Sequence, residues 1–376
     1  MTDDERRPLR HPISGAHSHE GGALYEAGEF LDAPADEQIP EREVSLARRV
    51  LNWRTIGSVI FAIVLLVLAF RTLGVNLQAT WGLILQANVG YLALAFVAYY
   101  LTFPVRTFRW RYILSKVGTR VRFVDALEIL YLSWFVNCLV PAKLGDLYRA
   151  YLLKANNGAS ASKTVGTIFI ERIADIIVIF GLALAAGYWS FRGRSMPGVD
   201  VIFIIGFVVA LILVTSVIAL RLWGRRVSRF LPLRLADLWE RFHEGSTGAL
   251  TASALPVIGV STVVIWLLEG ARLYFVIRAL DLPDVGLGIS ASIFVALTAA
   301  LLTAIPLTPA GIGFVEAGIA FALAIYGVSG DQGAAVALTD RAISILTVII
   351  IGGILYFFSG KVRRAHGVGP EAVPSG

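Results

Sequence analysis

A single cysteine, Cys138, rules out an intramolecular disulfide and any metal cluster built on cysteine. It lies in an apolar run and reads as a small packing residue. Histidine is scarce too: there are five in 376 residues, all in polar segments. No His pair, no Ser–His–Asp set and no carboxylate cluster with metal-ligand spacing stands out, so hydrolytic and metal-assisted chemistry have no candidate residues and no cofactor is expected. Charged residues make up only 16% of the chain, where soluble domains sit near about a quarter. The net charge of +6 comes without zinc spacing or a basic–aromatic strand pattern, which leaves nucleic acid unsupported as a partner. No charged-then-apolar segment with a cleavage site opens the chain, so its start does not read as a signal peptide.

What is abundant is apolar surface, at 56% of residues with a mean hydropathy of +0.71. It comes in runs of the length a helix needs to cross a hydrocarbon core of about 30 Å. Clear runs occupy 56–73, 88–104, 164–189, 199–220, 253–280 and 334–358. Two more, 123–153 and 287–326, are interrupted by Pro and Gly. The expected fold is therefore an all-α polytopic membrane protein. Residues 1–50 are polar and mixed in charge, and read as a disordered cytoplasmic tail. His11, His17 and His19 belong to that tail rather than to a metal site. The membrane domain is expected over 51–360, with a cytoplasmic tail at 361–376.

Loop charge orients the bundle. Arg48, Arg49 and Arg54 precede the first run, and Arg106, Arg109, Arg111, Lys116, Arg120 and Arg122 follow the second. A third basic group runs from Arg221 to Arg241, and Lys361, Arg363 and Arg364 follow the last run. These loops are expected in the cytoplasm, with both termini, in a multi-pass protein of the cell (inner) membrane. Arg106 and Arg109 read as interface anchors. The assignment is consistent only if the two interrupted runs do not cross. They then form re-entrant helical hairpins, leaving about six spanning helices.

The two halves of the chain share a layout, repeat 1 at about 81–190 and repeat 2 at about 250–358. Pro141 and Pro306 each end an apolar run and are displaced by 165 residues; the acid–Arg pairs Glu171-Arg172 and Asp340-Arg341 are displaced by 169. By loop charge the copies run in opposite senses. Inverted repeats with broken helices are a plan of transporters whose site lies near the midplane.

An ionised side chain at bilayer depth needs a partner or a wet cavity. Glu171 and Asp175 share one helix face, as do Glu269 and Arg272. Asp146, Arg149, Arg172, Glu316, Asp340 and Arg341 complete the embedded set. These charges read either as structural ion pairs or as a site whose Arg149, Arg172, Arg272 and Arg341 grip an anion such as phosphate. Asn137, beside the break at Pro141, either binds ligand or satisfies freed backbone. Pro309, Gly311 and Gly313 let the second break turn and leave helix N–H groups for an anion.

The stretches NCLVPAKLGDLYR from Asn137 and PLTPAGIGFVE from Pro306 resemble the two signatures of the flippase-like membrane domain of lysylphosphatidylglycerol synthases. The likeness covers about 51–358. It implies an inverted-repeat bundle with re-entrant helices that moves lipids between leaflets. Ala310 stands where the family commonly has Gly. No soluble aminoacyl-transferase domain follows Gly360, so synthesis of lysyl lipid is not expected. The leading expectation is a lipid flippase for a polar or anionic head group, phospholipid or polyprenyl-linked. The alternatives are an accessory protein or enzyme of lipid-linked cell-envelope synthesis and an ion-coupled small-solute carrier. Membrane lipids are the expected partners; a homodimer and cell-envelope biosynthetic enzymes are further candidates.

Overall fold

Lipid offers no hydrogen bond to a peptide group, so apolar runs fold as helices that satisfy their own backbone. The computed structural model describes residues 53–141, 143–192, 199–282, 287–303 and 308–365, and no strand occurs among them. The expected N-terminal tail, Pro306 and residues 366–376 lie outside the described residues.

The chain begins with α1 (Trp53–Thr72), α2 (Leu77–Leu85) and α3 (Val89–Lys116). The first interrupted run folds as α4 (Phe123–Leu139) and α5 (Leu144–Asn157). Two long helices follow, α6 (Ala161–Phe191) and α7 (Val199–Val227), then the amphipathic α8 (Leu233–Gly248) and the long α9 (Ala254–Ala279). The second interrupted run gives α10 (Ile289–Leu302) and α11 (Phe314–Ala324). Last come α12 (Gly330–Arg341), a π turn over Ala342–Leu346, α13 (Thr347–Phe358) and the short α14 (Gly360–Ala365).

Among the described residues α3, α9 and the continuous stretch Gly330–Phe358 are long and apolar enough to cross a membrane. The pair Ile56–Thr72 and Leu77–Leu85, bent by 95° at its break, makes a fourth if read as one span. Large apolar side chains on α1 and α7, such as Ile60, Leu68, Phe207 and Ile212, are exposed, as a lipid-facing surface requires.

Three segments differ from the sequence reading. Pro104 does not end its helix: α3 continues twelve residues beyond it to Lys116, because neighbouring helices re-satisfy the backbone a proline frees. Arg106 and Arg109 are therefore buried in the bundle rather than anchored at an interface. The supposed loop 72–87 contains α2, started by Asn76, whose side chain accepts from the Gln78 and Ala79 N–H groups. The basic loop after α7 contains α8, which packs on α6 and buries His243 and Ser246.

The core lies where α3 runs along α9, with α4, α10 and α11 packed beside them around Tyr99, Leu130, Leu273, Val295 and Leu323. Both interrupted runs turn within this packing. The first turns through extended Val140 and left-handed Lys143 (φ 54°). The second turns through left-handed Ala310 (φ 50°) and Gly313 (φ 89°), where a side chain would collide with the Ala62 carbonyl of α1.

Candidate functional site

A cavity of about 160 Å³ lies between the two breaks. Asn137, Val140 and Lys143 line it from the first break, and Thr303, Thr308, Ala310 and Gly311 from the second. Its lining is mixed. Leu273, Ala296, Ala299, Val315 and Ile319 supply apolar surface, while Lys143, Arg172, Glu269, Arg272, Asp340 and Arg341 bring charge. Residues of both breaks and several of the embedded charges thus line one cavity.

The charges fall into two groups, each made of two separately ion-paired clusters. In the first, Arg109 of α3 donates to Asp175 (2.6 Å) and to Glu171 (3.4 Å) on α6, so these two acids do act from one helix face. Glu171 also accepts from Arg149 at 2.8 Å. Arg172, one residue on, meets the same hairpin arm one turn earlier and donates twice to Asp146 of α5, at 2.6 and 2.9 Å. In the second group Arg106 of α3 donates to Glu269 of α9 at 3.0 Å. Arg272 holds Glu269 (2.6 Å) and Asp340 (2.8 Å) together. Arg341 donates to Glu316 at 3.1 Å and to the Ala310 carbonyl. The carboxylates that hold the cavity-lining arginines fix guanidinium planes at its wall.

Not every expected site residue reaches the cavity. Arg149 is buried behind it, stacked on the Trp110 ring with its guanidinium carbon 3.6 Å from the centroid. Of its two expected readings, gripping substrate and pairing structurally, the geometry shows the pair: Glu171 stands on one side and Trp110 on the other. Glu171, Asp175, Asp146 and Glu316 likewise stand behind the arginines they hold, and Pro141, Pro309 and Gly313 shape the breaks without lining the cavity. The freed helix N–H groups are largely taken by the protein itself. Asn137 accepts from Gly145 at 2.8 Å, and Glu316 from Gly313 at 2.7 Å. Asn137 thus satisfies backbone while also facing the cavity.

Several residues went unnoticed in the sequence. Arg106 packs between Trp134 and Trp266, at 4.7 and 5.5 Å from their centroids, and both indoles line the cavity. Trp134 and Tyr99 sit on apolar helices where an aromatic reads as packing. Lys143 sits inside the break motif and carried its own signal, a cation between Pro141 and Gly145 in an otherwise apolar stretch. Among the described residues no group of His, Cys, Asp and Glu has the geometry to hold a metal ion.

Comparison with known proteins follows the same lines. A family model described as the lysylphosphatidylglycerol synthase TM region matches residues 55–352. A UPF0104 membrane protein of Methanocaldococcus jannaschii is 32% identical over 225 residues, covering 59% of this chain and 93% of its own length. A UPF0104 membrane protein of Methanothermobacter thermautotrophicus is 28% identical, covering 70% of this chain and 81% of its own. The glycosyltransferase AglD of Haloferax volcanii is 26% identical over 82% of this chain, which spans only 55% of that protein.

Proposed function

The chain belongs to the family of the lysylphosphatidylglycerol synthase TM region, and from that premise we propose that it moves the polar head of a membrane lipid between leaflets through the cavity joining its two breaks. The observation that carries this reading is the mixed lining of the cavity. Its charged residues suit a head group, while its apolar residues suit the start of acyl or polyprenyl chains whose remainder stays in hydrocarbon. Keeping the head in a polar path removes most of the cost of dragging it through the bilayer core. The relative named a glycosyltransferase adds sugar-bearing lipids to the candidate cargo.

The reading includes an inverted repeat. Arg106 and Glu269 stand 163 residues apart, as do Arg109 and Arg272. A residue lying on a two-fold axis meets its own counterpart, and Arg106 meets Glu269. The other equivalences follow suit: Arg109 holds Glu171 as Arg272 holds Asp340, and Arg172 holds Asp146 as Arg341 holds Glu316. In this arrangement α1, α3, α6, α7, α9 and the α12–α13 stretch span the cell membrane, the hairpins α4–α5 and α10–α11 re-enter, and both termini are cytoplasmic.

The test is transbilayer movement of labelled lipids with several head groups in proteoliposomes holding the full chain. Head-group-dependent movement, absent from vesicles with Arg341→Ala protein that is folded and inserted, is expected. Movement no faster than in empty vesicles for every lipid would overturn the proposal. Topology is tested separately by cysteine accessibility in a Cys138→Ala background, where labelling of the two sides of one hairpin from opposite faces would sink the re-entrant arrangement.

A further inference from the structure

Six arginines and six carboxylates make up the two embedded groups, and every one of them has a charged partner. Formal charge therefore cancels within each group. Among the described residues that line the cavity, one cation is left over. Lys143 lines the same cavity, half-buried, and its ammonium makes no ion pair or hydrogen bond among the described residues. Its backbone is held in the left-handed region (φ 54°), which an L side chain seldom adopts without a reason. Arg172 and Arg341 approach the cavity from the two repeats, but Asp146 and Glu316 already balance them.

We infer that the cavity selects a lipid head group with one net negative charge, a phosphodiester monoanion, and that Lys143 is its counter-charge. The inference rests on the lipid-moving reading and narrows its cargo. A neutral or zwitterionic head leaves the Lys143 charge uncompensated at bilayer depth, where an unpaired ion is costly. A head with two or more negative charges overshoots and leaves an anion unpaired instead. A single phosphodiester closes the balance. Lys143 suits it as a compact point charge with three donors, while the Arg172 and Arg341 forks stay tied to their carboxylates and add oriented N–H groups at the wall. The apolar residues of the lining take the start of the chains.

The test separates binding from movement. Native mass spectrometry of the purified full chain measures binding of phosphatidylglycerol, phosphatidylethanolamine, a polyprenyl diphosphate and water-soluble glycerophosphoglycerol. Phosphatidylglycerol is expected to bind at least about tenfold tighter than phosphatidylethanolamine, a difference of about 1.4 kcal/mol, and tighter than the diphosphate. Lys143→Gln should bring the two phospholipids within about twofold of each other by weakening phosphatidylglycerol alone, and Lys143→Arg should keep the preference. Equal binding of the two phospholipids by the native chain, an unchanged preference in Lys143→Gln, or tightest binding of the diphosphate would each overturn the inference. Equal affinity for glycerophosphoglycerol would overturn the lipid source. If selective binding is found but no lipid moves in proteoliposomes, the charge assignment stands and the transport reading falls.

Discussion

Among the described residues, each break of the two hairpins holds one residue other than glycine in the left-handed region, Lys143 in the first and Ala310 in the second. The backbone cost is similar at both, about 1–2 kcal/mol over glycine. What the side chains return is not. Lys143 brings an unpaired ammonium to the cavity, whereas Ala310 brings a methyl group and uses its carbonyl to accept from Arg341. The acids behind the breaks differ in the same direction. The Asp146–Arg172 pair keeps 17% and 31% of its side chains exposed, the Glu316–Arg341 pair 5% and 12%. The ion pair at the first break is thus the more exposed of the two, and that at the second the more deeply buried.

The largest expected effect tests that contrast directly. Glu316→Gln keeps the shape and still offers an oxygen to the Gly313 N–H, but leaves Arg341 uncompensated in a dry setting. Breaking a buried pair from one side costs about 3–5 kcal/mol. Asp146→Asn leaves Arg172 uncompensated with more access to the cavity, and the cost there is smaller. Thermal unfolding in detergent should show a large drop in Tm for the first variant and a small one for the second. Equal drops would mean the two breaks are equally dry.

The next effects are smaller and opposite in sign. Ala310→Gly should stabilise the protein by about 1 kcal/mol by relieving the left-handed backbone, provided the added freedom of the unfolded chain does not cancel it. Lys143→Gly relieves the same strain and should gain a similar amount. The two separate in function: Ala310→Gly should keep the lipid preference, and Lys143→Gly should lose it. If both variants behave alike in lipid binding, the comparison between the breaks fails at its centre.

Much of this contrast could be read before the structure. The apolar runs gave helix positions within a few residues for α1, α6 and α9, because a membrane helix must satisfy its own backbone and its length is set by the bilayer. The breaks announced themselves through Pro141, Gly145, Pro309, Gly311 and Gly313. The spacing of Glu171 and Asp175 put both on one face, and both do grip Arg109. Partner choice was another matter. Periodicity says which side of a helix a residue occupies, not which helix it meets, so Arg149 was assigned to substrate when it faces Glu171 and Trp110. Stopping α3 at Pro104 hid the partners of three acids, since Arg106 and Arg109 then seemed to lie in a loop. A soluble-protein rule for proline had been carried into a setting where neighbouring helices weaken it.

The smallest expected effect concerns what braces the hairpins from outside the cavity. Gly313 of the second packs against α1 at Ala62, a contact without charge. The first is tied by α14: Lys361 pairs with Asp125 at 2.9 Å and with Glu128, Ser359 donates to Glu128, and Asn156 donates to the Lys361 carbonyl at 3.2 Å. Only this brace should respond to pH. Hydrogen bonds from Arg122 and then Lys361 hold the Asp125 carboxyl below its ordinary range. Burial works to lower the Lys361 ammonium, but the bonds to Glu128 and Asp125 outweigh it and raise its pKa. A depressed acid contributes stability that is complete above its unfolded pKa, about 3.9, and is lost as pH falls through the lower folded value. A raised lysine contributes stability that is complete below its unfolded pKa, about 10.4, and is lost as pH rises through the higher folded value. The brace should therefore hold unchanged between about pH 5 and 9 and loosen at both extremes. Both groups are near the surface, so water and salt screen the effect to a fraction of about 1 kcal/mol. Hydrogen exchange of Gly360–Ala365, corrected for the intrinsic pH dependence, should speed up by a few-fold on going from about pH 6 to about pH 3, while the amides of α11 stay unchanged. Lys361→Met should remove the acid response of α14. A response that survives this change, or an equal one in α11, would show that charge does not distinguish how the two hairpins are held.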